Sequence, residues 1–336
     1  MTVEIRTLSV KPQRQTFGHI ARRFGDKNAS RYQEATYDLQ SEVNLHYKPL
    51  WDPDRELYDR RRTAVVMQDW YALKDPRQYF YGSYTMARAK QQEAVDRQME
   101  FADKRGLVRD LPESARRDIV ALLIPLRHYE WGANMNLSHI SAYGWGTAVT
   151  QAAIMGAMDR LGMAQHLSRI GLQVDGNTGN SLTEAKRCWC DEPAWQGLRR
   201  QMETLFVTRD WFELLVAQTL VADGLLYPLF FQHFDAWMAK RHGPGLATVV
   251  DFLMRWQDET ARWVDAMVKT AAAESADNRA LIQGWVDHWR PVLRRALEPL
   301  AVALMREEGP QALAAVDAAL GARLVKLGLS DAGVGA

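Results

Sequence analysis

The clearest pattern in the chain is an apolar stripe formed by Leu246, Val249, Leu253, Trp256, Thr260, Trp263 and Met267. Spacings of three and four put these residues on one face of an α-helix, so the stripe predicts an amphipathic helix turned toward a core. A helical pattern begins at Tyr84. Pro112-Glu113 predicts a first turn, leading into a helix through Leu122, Leu126, Tyr129 and Leu137 with a kink at Pro125. Another helix is expected from about 146 to 174, ending in the loop signal Asp175-Gly176-Asn177-Thr178-Gly179-Asn180. Pro193 opens a stretch that reaches about His242 with a break near Thr208, and His242-Gly243-Pro244-Gly245 separates it from the Leu246 stripe. Helical pieces follow from Ala276 to the end, with interruptions expected at Pro291, Pro299 and Gly309-Pro310. No alternating strand pattern of convincing length and no internal repeat is present. The pattern predicts an all-α helix bundle.

Residues 1 to about 80 differ. They show no sustained helical period and carry Pro12, Pro49, Pro53 and Pro76, with aromatics that include Phe17, Tyr32, Tyr37, Tyr47, Trp51, Tyr58, Trp70 and Tyr71. A solvated tail is poor in aromatics, so this segment is expected to lie on its own bundle or on another chain.

Composition narrows the function classes. The chain has 336 residues, 47% hydrophobic and 25% charged, enough to bury a large core without disulfides. A net charge of +1 with scattered arginines gives no field for nucleic acid or an anionic membrane. The two cysteines, Cys188 and Cys190, point to a reducing, cytoplasmic setting, and the start has no signal-peptide core. Trp131 to Met158 lacks Lys, Arg, Asp and Glu but holds too many amides, hydroxyls and glycines to lie in lipid; it is expected to be helix buried in protein. Twelve tryptophans, eleven tyrosines and ten phenylalanines suit a large core together with a permanent partner.

A long bundle raises the question of a di-iron carboxylate site, which needs a Glu on each of two helices and Glu-x-x-His on each of two more. None of the residues three before the eight histidines is acidic. Two places look like worn versions. Met163-Ala164-Gln165-His166 has a thioether in place of the carboxylate, and Glu259-Thr260-Ala261-Arg262 has Arg in place of His. A guanidinium offers no lone pair, so Glu259 and Arg262 read as an ion pair, either ordinary or filling a relic site. Asp223 lies in the apolar run Leu220 to Leu226 and is expected to face solvent or an interface, with an internal polar network as the alternative. There is no phosphate-binding glycine loop, and Cys188-Trp189-Cys190 lacks a second Cys or His pair at zinc spacing.

Several runs carry a resemblance: Arg31 to Tyr37, His46 to Pro53, Asp75 to Gly82, Pro125 to Asn136, Ala157 to Gly171, Trp195 to Arg200, Arg209 to Leu214 and Arg262 to Met267. They resemble the beta (P1) subunit of bacterial multicomponent phenol hydroxylase, a soluble di-iron monooxygenase, over residues 3 to about 329. The resemblance implies a ferritin-like bundle over residues 81–330 without a di-iron site, and an extended N-terminal arm over 1–80 for subunit contacts. It implies partners: an alpha chain with the di-iron centre and a gamma chain in a dimer of trimers, a coupling protein, and a reductase with FAD and a 2Fe–2S cluster. Laid over the alpha pattern, the six ligand positions fall near Ala133, Met163, His166, Asp223, Glu259 and Arg262. Only three keep ligand-type side chains, so no metal or other cofactor is expected in this chain, nor a catalytic residue.

The expected role is a non-catalytic subunit of a phenol or methylphenol hydroxylase that uses NADH and O₂. Tyr37, Tyr47, Trp51, Tyr79 and Tyr81 are the expected interface residues. The alternatives are the same role in a toluene, benzene or alkene monooxygenase, and a stand-alone metalloenzyme using His166, Asp223 and Glu259.

Overall fold

A computed structural model describes residues 18–26, 28–42 and 45–331, and all regular structure among them is helical. The N-terminal region holds two short helices, α1 (Gly18–Phe24) and α2 (Arg31–Thr36). The bundle comprises α3 (Tyr81–Lys104), α4 (Glu113–Asp118), α5 (Leu126–Tyr143), α6 (Thr147–Asp175), α7 (Asn180–Asp191), α8 (Pro193–Phe206), α9 (Trp211–His242), α10 (Gly245–Glu274), α11 (Ala276–Met305) and α12 (Gly309–Lys326).

Helices α5 and α6 form an antiparallel hairpin through Gly144-Trp145-Gly146. Gly146 sits at φ 88°, in the left-handed region where only glycine is free of Cβ strain. Across the hairpin Asn134 donates to the Ala157 carbonyl at 2.7 Å and Ser141 to the Thr150 carbonyl at 3.0 Å, which fixes the register. The α10 stripe lies where its period predicts: Leu246, Val249, Leu253, Trp256, Thr260, Trp263 and Met267 are all buried. Each large apolar side chain so buried contributes roughly 1.5–3 kcal/mol.

The most apolar helix is α9, not the 131–158 stretch, which divides between α5 and α6. Its most apolar window is 89% buried, so α9 is a core helix. Asp210 caps it, accepting from the Phe212 and Glu213 N–H groups at 2.9 and 3.1 Å. Two π-helical turns, Val216–Ala222 and Leu229–Phe234, interrupt its α geometry.

Pro291 and Pro299 do not interrupt α11, contrary to the sequence-based expectation. Each removes one donor, but Asp287 and Arg295, whose carbonyls lose their partners, lie on the exposed face where water can serve them. The opposite face buries Leu293, Leu297, Leu300 and Leu304, and that packing carries the helix through. Gly309-Pro310 behaves as expected, opening α12 after a 3₁₀ turn over Arg306–Glu308.

The described part of residues 1–80 packs on its own bundle. Val65, Met67, Trp70 and Leu73 enter the main core, while Ile20, Tyr32, Tyr37 and Tyr71 form a smaller cluster with Ala148 of α6. Phe17 and Pro12 lie outside the described residues. Arg62, 6% exposed, holds the segment down: it pairs with Asp52 at 2.9 Å and lies about 5 Å from both the Trp51 and Tyr143 rings.

Candidate functional site

Helices α5, α6, α9 and α10 meet around one guanidinium. Arg160 of α6 is fully buried and donates to Glu130 Oε2 of α5 at 2.9 Å, to Asp223 of α9, and to the Tyr227 hydroxyl at 3.1 Å. The remaining carboxylate oxygens are also satisfied. Tyr227 donates to Glu130 Oε1 at 2.7 Å, and Tyr129 donates to Asp223 Oδ1 at 2.6 Å. Gln218 donates to the Tyr129 hydroxyl at 2.8 Å and to Asp223 at 3.3 Å, and Asn136 donates to Gln218 Oε1 at 2.8 Å. Trp256 of α10 lies under the guanidinium, 4.8 Å from ring centre to Cζ.

The π turn in α9 makes this possible. In an α-helix residues five apart diverge by about 140°, so Gln218 and Asp223 would face different neighbours. The i→i+5 geometry of a π turn brings them onto one face.

A second layer lies on the α3 side. Asp159 accepts from Tyr84 at 2.8 Å, from Arg88 at 2.7 and 2.8 Å, and from the Trp256 indole at 2.9 Å. Arg88 also pairs with Glu259 at 2.8 Å, and Arg77, already on Asp75 at 2.9 Å, approaches Glu259 to 3.7 Å.

Burial governs the electrostatics. It pushes the Glu130 carboxyl up, with Arg160 opposing, and raises the Tyr129 and Tyr227 hydroxyls far enough that both remain donors. Burial also pushes Glu259 up, but the hydrogen bond and charge of Arg88, with the Arg77 charge and a Tyr79 hydrogen bond, together outweigh it and leave the carboxyl below the usual range. Each carboxylate thus has an arginine partner, Arg160 serving Glu130 and Asp223, Arg88 serving Asp159 and Glu259, and Arg77 serving Asp75.

The expected positions separate in the structure. Asp223 belongs to the internal network and does not face solvent or an interface. Ala133 and Met163 are buried, each about one helical turn along from Glu130 and Arg160. Glu259 and Arg262 do not pair: Glu259 is drawn to α3 by Arg88, while Arg262 lies exposed beside Asp258 and Asp265 in a groove against α12. His166 turns to a backbone partner, its Nε2 lying 2.6 Å from the Val249 carbonyl. The donor set does not fit iron: both carboxylates of the centre are held by Arg160, and the described residues contain no group of three or more His, Cys, Asp or Glu that could hold a metal. Sequence reasoning missed Glu130 and Arg160, which do not stand out locally, since α5 also carries Arg127 and α6 also carries Asp159, Arg169 and Asp175.

Among the expected interface residues, Tyr37 is buried in the chain's own small cluster, stacked on Tyr71 at 5.6 Å, and offers no ring to a partner. Tyr79 is half-buried against Tyr84. Tyr47, Trp51 and Tyr81 are exposed.

His166 yields a pH prediction. Burial pushes its ring down to about 4 from an ordinary 6.5, so the folded state holds it neutral while the unfolded chain takes up a proton below pH 6.5. The stability it confers is complete above pH 6.5 and is lost as pH falls toward 4, up to about 3 kcal/mol. Urea midpoints measured across that window should fall less steeply for His166→Gln, whose amide can still donate to Val249; equal slopes would refute the assignment.

Comparison with known proteins finds relatives along nearly the whole chain. The methane/phenol/alkene hydroxylase family profile matches residues 51–275. Phenol 2-monooxygenase, oxygenase component DmpL, of Pseudomonas sp. (strain CF600) is 51% identical over 98% of this chain and 99% of its own length. The hydroxylase component subunit beta of the toluene-4-monooxygenase system of Ectopseudomonas mendocina is 26% identical over 86% of this chain and 90% of its own. A chain in the crystal structure of xenon-pressurized phenol hydroxylase from Pseudomonas sp. OX1 superposes with a TM-score of 0.92 at 46% identity, covering 98% of this chain and all of that one. This chain belongs to the methane/phenol/alkene hydroxylase family, as an oxygenase-component subunit of the phenol 2-monooxygenase type.

Proposed function

We propose that this chain is the non-catalytic beta subunit of a hydroxylase acting on phenol or a methylphenol. The observation that carries the reading is Arg160, which occupies the centre of the four-helix bundle with Glu130 and Asp223 closed around it. An alpha chain would carry the di-iron centre, a gamma chain would complete the trimer, and two trimers would form the dimer. A coupling protein and a reductase with FAD and 2Fe–2S would pass NADH electrons to the alpha chain, in the cytoplasm.

The surface supports a permanent partner. Trp131 and Met135 of α5, Ile154, Met158 and Leu161 of α6, and Phe206 of α8 are each 41–52% exposed, and Phe206 packs edge-on against Trp131 at 6.2 Å. Contiguous exposed apolar faces of this kind mark interaction sites. Tyr47, Trp51 and Tyr81 add exposed aromatics around the N-terminal arm.

Metal analysis of the chain purified alone and after co-expression with alpha and gamma chains tests the reading. Iron-free protein alone, with about two irons per alpha–beta pair and phenol oxidation only in the co-purified complex, is the expected result. Stoichiometric metal in the isolated chain, lost on Glu130→Ala or His166→Ala, would overturn it.

A further inference from the structure

Between the 3₁₀ turns at Arg60–Arg62 and Trp70–Ala72 the chain carries no helix over residues 63–68, and burial alternates along it. Thr63, Val65 and Met67 are buried, while Ala64, Val66 and Gln68 are exposed, Val66 by 71%. A period of two is that of an extended strand, yet the described residues contain no strand for it to pair with.

Its partners are side chains instead. The Ala64 N–H donates to Asp210 Oδ2 at 2.7 Å, the Val66 N–H to Asn278 Oδ1 at 3.0 Å and the Gln68 N–H to Glu274 Oε1 at 2.7 Å. The Asn278 amide also donates back to the Val66 carbonyl at 2.8 Å, so it meets that residue as a neighbouring antiparallel strand would. The three acceptors stand at three helix ends: Asp210 caps α9, Glu274 closes α10 and Asn278 lies in the first turn of α11.

Asn278 is the informative residue. It is 3% exposed, and a buried amide costs stability unless it is hydrogen-bonded. Its Nδ2 reaches the Ala271 carbonyl at 3.2 Å, but its Oδ1 has no partner in the bundle among the described residues. The amide therefore serves the segment laid over the bundle end more than the helix that carries it. The attachment is also thin. Val65 and Met67 enter the main core, while the arm before them rests on the α5–α6 turn, where Gln40 accepts from the Gly146 N–H at 3.1 Å and Gln151 donates to Thr36 at 3.1 Å.

We propose that residues 63–68 are a releasable strap, a conformational latch over the ends of α9, α10 and α11, with Asn278 as its positioning residue. Closed, the strap ties the N-terminal arm to the bundle. Open, it frees the backbone from Thr63 to Gln68 and leaves α9, α10 and α11 folded. Segments held by few buried side chains open well below the free energy of global unfolding.

Hydrogen–deuterium exchange on the full chain under native conditions provides the test. Amides in the strap should exchange at least tenfold faster than those in the buried parts of α9, α10 and α11. Asn278→Leu removes both bonds to Val66 and should speed strap exchange a further tenfold or more, about the equivalent of one hydrogen bond, with the rates in the core helices unchanged. Val66→Pro deletes the same N–H from the strap side while leaving every bundle residue in place, and should speed exchange at Ala64 and Gln68 alike. Strap exchange at the rate of the core helices overturns the proposal, because the segment is then an integral part of the core. Strap exchange indifferent to both variants overturns it as well. Should Asn278→Leu loosen α11 itself, Val66→Pro decides, since its strap must open early with the core rates unchanged. None of these results touches the subunit reading, which iron stoichiometry tests separately.

Discussion

Replacing Arg160 by methionine should destabilise the chain by about 3–5 kcal/mol, the typical cost of removing one partner from a buried ion pair. The guanidinium, Glu130 and Asp223 are all fully buried, and among the described residues each carboxylate has Arg160 as its one cationic partner. Without it, two carboxylates remain in apolar surroundings and must take up protons or admit water. The Tyr129 and Tyr227 hydroxyls, which donate to those carboxylates, lose their geometry as well. The triple change Arg160→Met, Glu130→Gln and Asp223→Leu should recover most of the loss, because exchanging a whole buried ionic group for apolar and neutral side chains is often near neutral. Urea unfolding followed by tryptophan fluorescence measures both. A single-variant loss under about 1 kcal/mol would mean that the network does not hold the bundle together.

The second large effect concerns assembly. Met135 and Met158 lie on neighbouring helices of the exposed apolar face, 46% and 44% exposed. Met135→Glu with Met158→Glu puts two charges where a partner would have to desolvate them. If both sit at the centre of the contact, where hot-spot residues cost about 2 kcal/mol or more each, association should weaken by on the order of a thousandfold. Phenol oxidation by the reconstituted hydroxylase should fall to background while the isolated chain keeps its unfolding midpoint, since neither side chain fills the core. Full co-purification and activity in the double variant would move the interface elsewhere.

The two experiments separate the roles of the inside and outside of one hairpin. On its inner face α5 and α6 carry Glu130 and Arg160; on its outer face they carry Trp131, Met135, Ile154, Met158 and Leu161. Successive residues of an α-helix turn by about 100°, so Glu130 and Trp131 serve opposite purposes while adjacent in the chain.

Helix class was legible because burial imposes a period. The α10 stripe, the turn at Asp175–Asn180, the break near Thr208 and the Gly243–Pro244 separator all appear where local rules place them. The absence of Glu-x-x-His was legible too, since that motif is a spacing within one helix. Pro291 and Pro299 misled because the rule that proline ends a helix concerns local hydrogen bonds, and here the lost partners face solvent while four leucines hold the helix in place.

The charged centre was less legible for a different reason. Asp223 stood out as an acid in an apolar run, yet its destination depends on Arg160 and Tyr129, distant in sequence. Glu259 and Arg262 have the spacing of a helical pair, but Arg88, 171 residues from Glu259 in the chain, competes for the carboxylate and wins. Tyr37 reads as an interface aromatic until Tyr71 and Phe24 enclose it.

From the sequence alone came what periodicity and local spacing carry: an all-helical chain with most of its breaks, no intact di-iron motif, and the family its motif runs resemble. Only the tertiary structure decided which charges meet, because an ion pair between helices depends on register, on the π turn in α9 and on which face each helix buries. Those quantities are settled by packing over the whole core, and no window of neighbouring residues contains them.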